Sequence, residues 1–177
     1  MSRDDKARLP LHAVELPLQR ETFMRTLIRH LSGTLEEIVG LEEATGFISI
    51  VGQQMGEEIG QDYRNALDKP RLSRSEVAQV LVDLKRRIEG DFYVVEETPE
   101  MLLLASHSCP FGDHVVGRES MCMMTSNVFG SIAAQNLGYA KVELRRTIAR
   151  GHEGCMIAVY LTPEVGSDAD GREYYAD

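Results

Sequence analysis

Tryptophan is absent from the 177 residues, aromatics make up only 6%, and there are just three cysteines and six prolines. A core without large rings must be aliphatic, and eight methionines supply adaptable packing. Positive charge is also scarce. Nineteen Lys and Arg against 28 Asp and Glu leave a net charge of −9, which argues against a broad nucleic-acid footprint because phosphate binding needs clustered bases. The longest purely apolar run, MLLLA, falls far short of the about 20 residues a bilayer-spanning helix needs. The opening MSRDDKARLPLHAVELPL lacks the apolar centre of a signal peptide. A cytoplasmic location without membrane attachment is therefore expected, where thiols stay reduced and an odd cysteine count is no anomaly.

What is present is ordinary globular composition, 43% apolar and 27% charged, at a length suited to one domain. Residues 1–18 carry two prolines and no periodicity, and are expected to form an extension. The next segment spaces Phe23, Leu27, Leu31 and Leu35 by four, which predicts an amphipathic helix up to Gly40. A second helix is predicted with an apolar line at Ile48, Val51, Met55 and Ile59, stopped by Pro70. A third opens with a capping box at Ser73 and Glu76, backed by a Leu72–Val77 staple, and ends at Gly90.

The apolar period then switches from helical to alternating. DFYVVEE and MLLLASHSC read as strands, a helix runs from about Ser120 to Gly138, and KVELRRTIA and GCMIAVYLT form a last strand pair. The order is three helices, two strands, one helix and two strands. It predicts an α+β fold with a four-stranded antiparallel sheet packed with helices. Residues 19–162 form the domain, and the acidic segment 163–177 is expected to be a mobile tail.

The cysteines cluster late in the chain. Strand alternation would put His107 and Cys109 on one face, as an H-x-C pair able to offer two ligands to one metal. It would turn Cys155 inward beside Ile157 and Val159. Cys122, in the first turn of its helix, would feel free amides and the helix dipole, which favour thiolate. The spacing C-x12-C-x32-C matches no standard metal motif. Three small buried residues and a real site both remain open on spacing alone. His114 and His152 fall in loops.

Three stretches carry a family resemblance: the glycine-spaced helix VGQQMGEEIG, the segment SCPFGDHVVGRESMCMMTSNVFGSIAAQNLG, and KVELRRTIARGHEGCMIAVYL. From about Arg20 to Leu161 the chain resembles the methanogen output domain family, related to 4-vinyl reductase-like small-molecule-binding domains. The resemblance implies the mixed fold shared by nitric-oxide-sensing haem domains and vesicle-transport particle subunits. It also implies a prokaryotic sensory or output role: binding a small ligand or a metal, and signalling through a protein partner. Where many vinyl-reductase-like relatives read C-x3-G-x3-C, this chain reads TIARGHEGC, with Thr147 in place of the first cysteine, so a four-thiolate site within one chain is excluded.

The resulting expectation is one inward site formed by Cys109, Cys122 and Cys155, with His107 as the leading fourth ligand. Its occupant would be zinc or an iron–sulfur cluster, or it would be a thiol-lined ligand pocket. A cysteine-dependent enzyme and an interaction scaffold with a cysteine core are the competing readings; no acid that would orient a Cys–His pair is identifiable. Gly52, Gly56 and Gly60 recur every four residues and suggest a dimer through the second helix, with close packing inside the same chain as the alternative. Arg145, Arg146 and Arg150 read as a solvated patch paired with carboxylates.

Overall fold

A computed structural model describes residues 19–176, and the expected extension 1–18 lies outside them. Four helices occupy Arg20–Val39 (α1), Leu41–Ala66 (α2), Arg74–Arg87 (α3) and Cys122–Leu137 (α4). The strands are Tyr93–Glu97 (β1), Met101–Ser106 (β2), Tyr139–Arg146 (β3), Cys155–Tyr160 (β4) and Arg172–Tyr175 (β5). Short 3₁₀ turns lie at Gly112–Val115, Glu119–Met121 and Ile148–Arg150.

Local chemistry explains most boundaries. The α3 capping box forms as expected: Ser73 N–H donates to Glu76 Oε2 at 2.9 Å, and Glu76 N–H donates to Ser73 Oγ. Leu72 and Val77 are both buried beside it. Gly138 closes α4 at φ 96°, a conformation costly for any residue with a Cβ.

All strand pairs are antiparallel, in the order β1-β2-β4-β3-β5. This is the α+β class expected, with one strand more. The fifth comes from the segment expected to be a mobile tail. In REYY only Tyr174 is buried, and it goes down onto Gly130 of α4, where a Cβ would lie 2.1 Å from its ring. The Tyr174 hydroxyl is 3.0 Å from Ser126 Oγ. The acidic composition concealed this strand, because its partner, β3, lies some thirty positions away in sequence.

The main core lies between the sheet and the α3–α4 layer, joining Leu81, Phe129 and Ile132 to Leu102, Leu104, Ile157 and Val159. The opposite sheet face carries a smaller cluster at Leu103, Ala158 and Tyr160. Outside α4 lies α2, and α1 packs on α2 at the edge of the molecule.

This layering corrects one expectation. The glycine line of α2 is consumed within the chain: a Cβ on Gly52 would meet Asn127 Cβ at 2.8 Å, one on Gly56 would meet Ser131 Cβ at 2.8 Å, and Gly60 faces Gln135 and Ile132. The three glycines let α2 approach α4, so they are not a dimer surface. Conversely, the apolar line of the amphipathic α1 is largely in solvent. Phe23, Leu27 and Leu31 are exposed, as are Val51 and Met55 of α2. Helical periodicity identifies an apolar face but does not say whether anything covers it.

Candidate functional site

The chain leaves β2 at Ser106, and the turn beyond that residue decides where the site side chains go. Asp91 accepts hydrogen bonds from His107 N–H (3.0 Å), Ser108 N–H (2.8 Å) and Ser106 Oγ (2.8 Å). Burial alone would raise the Asp91 carboxyl, but these donors outweigh it and hold the group below the usual carboxylate range. The clamp ends the strand at Ser106, so alternation is lost between His107 and Cys109. His107 stays on the exposed side, its ring tilted against Tyr93 with Nε2 3.4 Å from the Tyr93 hydroxyl. Cys109 swings the other way, into a cluster with Val115, Met121 and Ala149. The shared His107–Cys109 face expected from alternation therefore does not form.

The three cysteines do come together. Cys109, Cys122 and Cys155 line one small apolar cavity of about 20 Å³, with Phe92, Phe111, Met121, Thr125 and Thr147 among its other walls. That is room for a single water-sized occupant. His114 and His152 are not part of the lining. His114 offers its backbone carbonyl to Arg29, and His152 Nδ1 lies 3.1 Å from the Thr147 carbonyl on the exposed turn before β4. Among the described residues, no group of three or more His, Cys, Asp and Glu side chains is placed to hold a metal ion.

The thiols are protonated. Burial, followed by the adjacent Cys155 and Cys109, pushes Cys122 up to about 12. Burial also raises Cys109 and Cys155, more than backbone donors and a nearby cation lower them. The thiolate expected at the start of α4 is thus overruled. Cys122 does begin the helix, but the cavity withholds water, and desolvation outweighs the helix dipole.

The nearby cation is Lys85, which sequence reasoning missed. It is only 4% exposed, donates to Thr125 Oγ1 at 2.7 Å, and lies 5.4 Å and 5.3 Å from the ring centres of Phe92 and Phe129. Thr125 and Phe92 both wall the thiol cavity, so the ammonium sits directly behind it. Burial lowers its pKa to about 8. The three cysteines would support the charge only as thiolates, and they are neutral in that pH range. No ion pair involves Lys85 among the described residues. The sequence does hold a signal: Lys85 follows Val77, Leu81 and Leu84 on the buried stripe of α3, where a lysine is out of place.

Several exposed charges are already paired. Arg145 pairs with Glu143 at 2.9 Å and Arg150 with Glu119 at 2.8 Å, the paired patch anticipated. A wider open trough of about 730 Å³ beside α3 is lined by Tyr63, Asp83 and Arg87, which bond to one another. A groove of about 230 Å³ between α1 and α2 shares Phe111 and Met121 with the thiol cavity, so two side chains divide the two spaces.

A search of the curated proteins finds no match. Among solved structures, trafficking protein particle complex subunit 3 from Naegleria fowleri, covalently bound to palmitic acid, has the same fold at a TM-score of 0.54. The match is 12% identical and covers 88% of this chain and 99% of that one. The family model for methanogen output domain 1 matches residues 27–160, a span that contains Lys85, all three thiols and both walls shared with the groove. On that match, the chain belongs to the methanogen output domain 1 family.

Proposed function

We propose that this output domain is a ligand sensor whose signal is a small, largely apolar molecule bearing an anionic group. The family gives the role in signal output and, with it, a protein partner. The observation that carries the ligand class is Lys85: a desolvated ammonium with a hydroxyl and two aromatic faces around it and no carboxylate paired with it among the described residues. A buried cation of this kind costs several kcal/mol unless something anionic repays it. The protonated thiols offer a polarizable, uncharged wall against which an apolar body packs.

The ligand's carboxylate would displace the contents of the small cavity and meet Lys85 beside Thr125. Its apolar part would pass between Phe111 and Met121 into the α1–α2 groove. That route links ligand entry to the outer helices α1 and α2. A structural neighbour that carries palmitic acid covalently is consistent with a fold that accepts an acyl chain. Attachment through a thioester is not part of this reading, since all three thiols have raised pKa values and are poor nucleophiles.

Octanoate and octanol, matched in their apolar body, test the reading by calorimetry at neutral pH. Octanoate should bind the wild type with at least tenfold preference over octanol, and Lys85→Met should erase that preference. Equal binding of the two probes, or no binding of either, would rule the proposal out.

A further inference from the structure

We infer that the exposed face of α1 and α2 is a two-fold interface with a second copy of this chain, the two α1 helices running antiparallel. Eleven large apolar side chains on these helices are 38–75% exposed. Together they leave on the order of 1,000 Å² of mostly apolar surface, above the about 800 Å² each partner gives to a standard interface. Isolated monomers seldom expose a contiguous apolar patch of that size.

Three features select a second copy as the occupant. The first is the period along α1. Met24, Leu27, Leu31, Thr34 and Ile38 follow spacings of three and four in turn, the heptad seam through which helices pack on each other. The intrachain contacts of α1 are centred on a different side: Ile28, Ser32 and Leu35 line the groove towards Phe47 and Met124 of the same molecule, and of the seam only Leu31 reaches the groove's lining. The seam is therefore an addition to what folding requires.

The second feature is register. In an antiparallel pair centred between Leu31 and Thr34, Leu31 meets Thr34 of the other copy and Leu27 meets Ile38. These four positions pair reciprocally, as an isologous contact demands.

The third is charge. Arg25, Arg29 and Glu36 are held by partners within the chain, which leaves Arg20 and His30 exposed in the first half of α1 and Glu37 exposed in the second. Glu42 and Glu43 follow at the start of α2. A parallel pair would set like charge on like. An antiparallel pair brings the basic end of each helix to the acidic end of its mate, which fixes the orientation.

Sedimentation velocity of the full chain at micromolar concentration should give a dimer. Leu31→Glu and, separately, Ile38→Glu should each give a monomer with unchanged helical circular dichroism, while Leu31→Met stays dimeric. A monomeric wild type overturns the inference. So does a folded Leu31→Glu or Ile38→Glu protein that still dimerises. If the full chain is monomeric and removal of residues 1–18 makes it dimerise, the occupant is that segment and the second copy is wrong.

Discussion

Lys85 shows how a single residue can be unfavourable for the fold and yet central to a proposed site. Its folded pKa of about 8 lies below its ordinary 10.5. Between those values the unfolded chain holds a proton that the folded chain has released, so this residue makes stability rise with pH across that window. Below pH 8 both states are protonated and the full penalty applies, roughly 3 kcal/mol from the size of the shift. Lys85→Met keeps the stem and removes the charge, so it should stabilise the protein by about that amount at pH 7, and the gain should shrink towards pH 10. The thiols work in the opposite sense. Their folded values lie above the ordinary 9.0, so their contribution is present below pH 9 and lost as pH rises past it. The test is therefore the difference between wild-type and variant unfolding free energies at pH 7 and pH 9.5. An unchanged difference would contradict the burial of the ammonium. The same thiols should resist iodoacetamide at pH 7.5 and react on addition of denaturant, as read by mass spectrometry. Rapid labelling of Cys122 in the folded protein would mean its thiol is not held near 12.

At the scale of elements, the contact between α2 and α4 gives a sharp contrast on one helix. Gly56 faces Ser131 and Val128 so closely that a Cβ would sit 2.8 Å from Ser131 Cβ and 3.1 Å from Val128 Cα. Gly46, nearer the start of the same helix, has nothing within 4 Å of such an atom. Gly56→Ala should cost about 1–3 kcal/mol by forcing the helices apart. Gly46→Ala should stabilise by about 0.5–1 kcal/mol through helix propensity. Urea unfolding of the two variants decides it, and equal effects would mean α2 does not rest on α4 through this line. The seam is also made specific by buried polar groups: Asn127 Nδ2 donates to Ser49 Oγ at 3.0 Å, and Arg172 Nη1 reaches the same hydroxyl at 2.6 Å. These bonds tie α2, α4 and β5 together, so a loss of β5 is expected to loosen the helices as well as the sheet.

For the whole molecule, the thiol cavity and the α1–α2 groove are neighbouring spaces with shared walls. Phe111 and Met121 wall the thiol cavity on one side and the α1–α2 groove on the other. A dimer that forms through α1 stabilises the folded state by mass action, so the unfolding midpoint should rise with protein concentration. Thermal scans over a hundredfold range of concentration measure this. The rise should vanish in Leu31→Glu, and a midpoint independent of concentration in the wild type would leave the two-fold interface without thermodynamic support. No helix among the described residues is long and apolar enough to cross a membrane, in keeping with the short apolar runs of the sequence.

Much was determined by local chemistry that the sequence displays directly. The Ser73–Glu76 box, the glycine that ends α4, and the switch from helical to alternating period are short-range effects, and each element appears where they place it. The inward turn of Cys155 beside Ile157 and Val159 likewise follows from the two-residue period of a strand. Tertiary structure decided the rest because the deciding partners are distant in sequence. Asp91 redirects the chain at His107 and parts it from Cys109. Gly130 receives Tyr174 and turns an acidic tail into a strand. Burial reverses the charge state that a helix start favours at Cys122. Lys85 reads as one more base in a helix's last turn until Phe92, Phe129 and the three thiols close around it, because desolvation is a property of the folded surroundings and not of the residue.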